Sequence, residues 1–264
     1  MLELYHHGTS VCAAKPRILF AEKRLDWVGH YVDIIKGEQF APEYAKLNPK
    51  HVVPTLVHDG RVIRESTIIG EYLDEVFPEP PLKPAAPLDR VTMRMWTKRL
   101  DEELHPATGI VTYAISHRHA VIANGPEAVE HWVNQGKPEQ RARRRRRIED
   151  GIDDPEAQAA LRIYDRFLAD MEAQLRETPY LAGPTFSLAE VGVMPYVNRL
   201  DMLQLSGLWT ETRPNLADWW RRMKARPSFE PGLMKFVPPE LGPLMRAKGA
   251  EAWPTVRAIL QQSR

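Results

Sequence analysis

The chain has 264 residues, 43% of them hydrophobic, enough for one large domain or two ordinary ones with a sizeable core. Its 36 Lys and Arg against 35 Asp and Glu leave a formal net charge of +1, which excludes a global field drawing it to nucleic acid or a membrane surface. Cys12 is the only cysteine, so an internal disulfide and a multi-cysteine zinc cluster are excluded, and a reducing compartment fits.

The opening MLELYHHGTS lacks a basic leader with a long apolar stretch, and no apolar run of about 18 residues occurs, so a cytoplasmic protein is expected. Residues 2–5 read as a short strand. Cys12 to Lys23 reads as a helix that tolerates Pro16 near its start. Apolar stretches at His30 to Ile35 and Val53 to Ile63 supply further strands, the second folded into a hairpin at Asp59-Gly60. Ser66 to Val76 follows as an apolar-periodic helix. The order β-α-β, an irregular stretch, then β-β-α implies a mixed sheet with helices packed on it.

Between Phe77 and Leu88, Pro78, Pro80, Pro81, Pro84 and Pro87 remove backbone donors, as expected of an interdomain linker. Beyond it the period is helical, at Leu88 to about His119, Pro155 to Arg176, Ser187 to Leu200 and Pro214 to Ala225. The expected division is therefore a first domain at 1–80, a linker at 81–87 and an all-helical domain with a C-terminal tail at 88–264. The run from Arg141 to Arg147 has no interleaved aromatics and is expected to be a solvated loop or a salt-bridged helix face. The tail from Phe229 carries Pro231, Pro238, Pro239, Pro243 and Pro254, so at most short helices are expected there, draped over a neighbouring site.

Three local features carry candidate chemistry. The loop His7-Gly8-Thr9-Ser10 leads from a strand into a helix, placing Thr9, Ser10 and Cys12 where free N–H groups and the helix dipole favour an anion. Ser10 also fits the plain role of an N-cap. Cys12 fits either a reactive thiol at a helix start or a small residue packed on the sheet. Glu65-Ser66 precedes a helix, with Ser66 as the expected N-cap; the pair suits an amino-acid head group, or simply a cap beside a solvated acid. Val53-Pro54 precedes a strand as a turn or a cis bond. His105, His117, His119 and His131 lack metal-ligand spacing, and no metal site is expected.

In order and spacing, Ser10, Val53-Pro54 and Glu65-Ser66 resemble the glutathione transferase family, and the match spans most of the chain. The resemblance implies an N-terminal thioredoxin-like domain (α/β) that binds glutathione as co-substrate, an all-α domain that holds a hydrophobic electrophile, and a homodimer. By that resemblance, Val53 before cis-Pro54 pairs with the cysteinyl part of glutathione, Glu65 and Ser66 hold its γ-glutamyl end, and Gln39 and His51 reach its glycyl carboxylate. S10-V-C-A-A-K-P-R17 resembles the segment of the serine-type classes that begins with the catalytic serine, so Ser10 inherits that role, with Thr9 and Cys12 as alternatives.

His7, Trp96, Tyr113 and His117 are the candidate lining of the electrophile pocket. Phe186 to Glu190 resembles the family's capping box and hydrophobic staple, with Glu190 where an Asp is usual. NPKHVVPTLVHDGRVIRESTIIGEYLDEVFP, RMWTKRLDEELHP and ARPSF are similar to the bacterial β-etherase type, which cleaves lignin-derived aryl ethers with glutathione. Ala13 stands where that type has serine and Ser10 where it has glycine, so its thiolate-stabilising residues do not transfer. Two alternatives accompany the transferase reading: a Cys12-dependent thiol transferase or reductive lyase, and a non-catalytic glutathione-binding protein.

Overall fold

A computed structural model describes residues 1–134 and 138–262; the small parts of the expected 88–264 domain at 135–137 and 263–264 lie outside them. The strands are β1 (Leu2–His6), β2 (Val28–Tyr31), β3 (Thr55–His58) and β4 (Arg61–Arg64). The helices are α1 (Val11–Lys23), α2 (Pro42–Leu47), α3 (Ser66–Val76), α4 (Pro87–Arg99), α5 (His105–Thr112), α6 (Arg118–Ala123), α7 (Pro126–Asn134), α8 (Arg141–Glu149), α9 (Pro155–Glu177), α10 (Leu188–Met202), α11 (Gly207–Thr210), α12 (Pro214–Lys224), α13 (Phe229–Gly232) and α14 (Leu241–Gln261). They form two compact units: Met1–Lys98 with Leu175–Pro195 and Asp218–Pro238, and Arg99–Gln174 with Tyr196–Ala217 and the chain from Pro239 on.

In the first unit the strands pair in the order β2-β1-β3-β4, with β1 parallel to β2 and antiparallel to β3. Asp59 and Gly60 have φ of 47° and 77°, the left-handed pair that a two-residue hairpin requires, which is why Asp-Gly turns the chain here. Leu4 and Leu56 face each other across the β1–β3 ladder, both fully buried, and α1 packs against α3 with Ile18, Leu19, Ile69 and Leu73 inside. β2 lies earlier than the expected His30 to Ile35. It ends because Asp33 accepts N–H bonds from Ile35 (3.0 Å) and Lys36 (3.2 Å), an Asx turn that bends the chain off the sheet.

The capping box before α10 closes as expected. Ser187 donates to Glu190 Oε2 from its N–H (2.9 Å) and hydroxyl (2.8 Å), Ala189 N–H donates to Ser187 Oγ (3.2 Å), and Leu181 N–H donates to Glu190 Oε1 (2.6 Å). Burial pushes the Glu190 carboxyl up, against the pull of those donors.

In the second unit, π-helical turns at Leu100–Leu104 and Tyr113–His117 flank α5. Leu104, Ala107, Val111, Leu161, Phe167, Met171, Leu200 and Trp209 are buried there. The expectation of only short helices in the tail is corrected: α14 runs 21 residues. Pro243 falls in its first turn, where no N–H is needed, and Met245, Val256 and Ile259 are buried as α14 packs on the Tyr113–His117 turn. The arginine run is a salt-bridged helix face. Arg143 and Arg147 engage Glu156 (2.5 and 3.1 Å), Arg145 engages Glu130 (2.8 Å), and Arg144 lies over the Trp132 ring at 4.1 Å.

Candidate functional site

Sheet register gathers the candidate residues. Tyr5 pairs with Thr55, Thr55 with Arg64, and His6 with Tyr31. The segments leaving β1, β2 and β4, and the one entering β3, therefore all meet one end of the sheet. They carry the loop His7–Ser10, Gln39, Glu65-Ser66, and His51 with Val53-Pro54.

Ser10 is the N-cap of α1. With β-region φ and ψ (−70°, 117°), its Oγ accepts from Ala13 N–H at 3.2 Å. That bond uses a lone pair and leaves the hydroxyl proton available for donation, so capping and chemistry are compatible. Ser10, Thr9 and Cys12 are all half-buried. Thr9 turns toward His7, its N–H 3.3 Å and its Oγ1 3.1 Å from Nδ1 of that ring, and His7 itself is buried.

Beneath the loop lies Arg17, 2% exposed. Its guanidinium donates to His7 O (3.0 Å), Gly8 O (3.2 Å), Gly232 O (3.0 Å) and His6 Nδ1 (3.3 Å). Burial lowers its pKa to about 9. Burial, and secondarily the Arg17 charge, lower His6 to about 4, so that ring is neutral.

On the facing segment, the Val53-Pro54 peptide is cis. Val52 O accepts from Tyr44 Oη (2.6 Å) and Asn48 Nδ2 (2.9 Å), and Asn48 Nδ2 also reaches Thr55 Oγ1 (3.1 Å). Tyr44 and Asn48 thus brace this segment; the sequence reading passed over both, and a tyrosine and an asparagine flanking a proline turn are the only signal for them. Gln39 and His51 come together, His51 Nδ1 donating to Gln39 O at 3.1 Å, while Gln39 Oε1 is a buried acceptor with no hydrogen-bond partner among the described residues.

The expected N-cap at Ser66 is corrected to Glu65. Glu65 adopts φ 66° and ψ 113°, its carboxylate pairs with Lys50 Nζ at 2.7 Å instead of capping, and Ser66 is the buried first residue of α3. Glu65 thus makes no side-chain cap bond to the N-terminus of α3, whose dipole favours a carboxylate.

Of the electrophile-pocket candidates, Trp96 is a buried side chain of the first unit. In the second unit Tyr113 and His117 share the π-helical turn, both half-buried, and Tyr113 stacks on Trp132 with centroids 4.4 Å apart. Burial raises the Tyr113 phenol, and the guanidiniums of Arg144, Arg147 and Arg118 oppose that rise. Among the described residues no group of three or more His, Cys, Asp or Glu is placed to hold a metal, and no helix is long and apolar enough to cross a membrane.

Residues 9–76 match the model of the glutathione S-transferase N-terminal domain, and residues 138–222 that of the glutathione S-transferase C-terminal domain. Protein LigF of Sphingobium sp. strain SYK-6 is 32% identical over 237 residues, covering 87% of this chain and 91% of that protein. Tetrachloro-p-hydroquinone reductive dehalogenase of Sphingobium chlorophenolicum is 32% identical over 248 residues, covering 87% and 94%. The crystal structure of β-etherase LigF from the same strain SYK-6 superposes with a TM-score of 0.74 over 89% of this chain and 99% of that one. The chain belongs to the glutathione S-transferase family.

Proposed function

We propose that this protein is a cytoplasmic glutathione transferase in which Ser10 donates a hydrogen bond to the glutathione sulfur and so favours the thiolate. The carrying observation is the Ser10 hydroxyl at the N-cap of α1, its oxygen engaged by Ala13 N–H and its proton free to point outward. A free thiol of this kind titrates at about 8.5, so only a few per cent is nucleophilic near neutrality. One charge-assisted hydrogen bond of about 1.4 kcal/mol shifts that by a unit.

Glutathione lies along the gathered end of the sheet. Its γ-glutamyl carboxylate meets the N-terminus of α3 at Ser66, and its ammonium meets Glu65. Its cysteinyl part pairs with the Val53 backbone beside Pro54, and its glycyl carboxylate lies toward Gln39 and His51. The electrophile is hydrophobic and aromatic. For an aryl ether, sulfur bonds to the carbon bearing oxygen as the C–O bond breaks, and the aryloxide departs with the electron pair and takes a proton from water. The similarity to β-etherase LigF supports this substrate class. The exposed stripe Leu88, Val91 and Met95 on α4, together with the family membership, supports a homodimer, which light scattering tests.

The test is retention on glutathione resin combined with turnover of a chloro-nitrobenzene, an aryl ether, a hydroperoxide and a mixed disulfide. Activity on the first two that survives Cys12→Ala supports the reading. Activity on the mixed disulfide alone, lost in Cys12→Ala, overturns it in favour of thiol transfer.

A further inference from the structure

The segment from Arg226 to Phe236 runs along α1 from its C-terminal end back to the Ser10 loop. Arg226 forms a two-pronged pair with Glu22, both bonds 2.7 Å. Gly232 lies so close to Ile18 that a β-carbon there would sit 2.8 Å from its Cα, and Gly232 O accepts from Arg17 Nε at 3.0 Å. At the top, the Phe236 ring covers the Arg17 guanidinium at 4.4 Å and meets the His6 ring edge-on at 5.1 Å. A β-carbon on Gly8 would sit 2.2 Å from Phe236 O, so the loop and the tail are in direct contact.

Arg17 is therefore a buried cation whose acceptors are three carbonyl oxygens and a neutral ring nitrogen. Among the described residues it has no ion pair with a carboxylate. The titratable groups beside it include His6 on β1 and Tyr31 at the end of β2, with His7 at the loop that its guanidinium holds. Burial lowers the first and raises the second, so near neutrality neither brings a compensating charge. A guanidinium kept from water by an aromatic face acts through a low dielectric, where its charge reaches further than at a surface. Its side chain points back along α1 toward Ser10, and the His7 carbonyl it holds also accepts Ser10 N–H at 3.2 Å.

We propose that Arg17, shielded by Phe236 of the C-terminal segment, is a positioning residue that fixes the Ser10 loop and supplies uncompensated positive charge favouring an anionic sulfur beside Ser10. The inference rests on the glutathione reading above. It makes a segment more than 200 positions away in sequence part of thiol activation.

The test is titration of the thiol of bound glutathione by thiolate absorbance, in the wild type, Arg17→Lys, Arg17→Met and Phe236→Ala, with glutathione affinity measured by calorimetry. The expected result is a thiol acid dissociation constant about tenfold lower in Arg17→Met, near the wild type in Arg17→Lys, and about threefold lower in Phe236→Ala, the last difference growing at high salt because only the uncovered guanidinium is screened. A midpoint unmoved in Arg17→Met despite retained binding overturns the role and leaves the glutathione reading standing. Should Arg17→Met fail to fold, an unmoved midpoint in Phe236→Ala overturns the role. Absence of glutathione binding by the wild type overturns the functional reading and this inference with it.

Discussion

Ser10 and Arg17 share one acceptor: the His7 carbonyl oxygen receives the Ser10 N–H at 3.2 Å and the Arg17 guanidinium at 3.0 Å. The catalytic candidate is thus tied by its own backbone to a charged group two helical turns along α1.

His6 makes acid stability a property of this loop. In the unfolded chain it titrates near 6.5 and in the folded protein at about 4, so between those values the unfolded state binds a proton that the native state refuses. Stability should therefore be full above 6.5 and decline as pH falls toward 4, by up to about 3 kcal/mol from this residue. Thermal melts at pH 7 and pH 5 should show a smaller drop for His6→Gln than for the wild type.

Gly249 on α14 has no room for a side chain, because a β-carbon would sit 1.7 Å from Leu203 O, a backbone atom that cannot swing aside. Gly249→Ala gains helix propensity but forces α14 off its seat, and a loss of about 1–3 kcal/mol is expected. Denaturant unfolding measures it, and a stabilised variant would refute the packing argument.

Glu65 bears on binding more than on turnover, because it lies at the proposed γ-glutamyl end and remote from sulfur. Glu65→Gln keeps the shape and removes the charge. Its KM for glutathione should rise about tenfold, as for loss of a hydrogen bond to a charged group, with kcat within about twofold. Steady-state kinetics with varied glutathione separates the two effects.

Much of the first unit was legible because its signals are local. Asp59-Gly60 fixes the hairpin, and Ser187 with Glu190 fixes the start of α10. The order of Ser10, Val53-Pro54 and Glu65-Ser66 matches the order in which strands deliver them to one sheet end. What stayed hidden depends on distant partners. The Asx turn at Asp33 moved β2, the pull of Lys50 on Glu65 shifted the α3 cap, and burial of Met245 and Val256 carried α14 past Pro254. The bond from Arg17 to Gly232 joins residues 215 positions apart, and no spacing rule announces it.

The central claim, that the Ser10 hydroxyl stabilises the glutathione thiolate, is tested most directly by titrating the thiol of glutathione bound to Ser10→Ala and to the wild type. The wild type should titrate below the free value of about 8.5, and Ser10→Ala about one unit above the wild type, with kcat/KM down by about tenfold or more and glutathione affinity nearly unchanged. Equal midpoints and equal rates in the two proteins would contradict it.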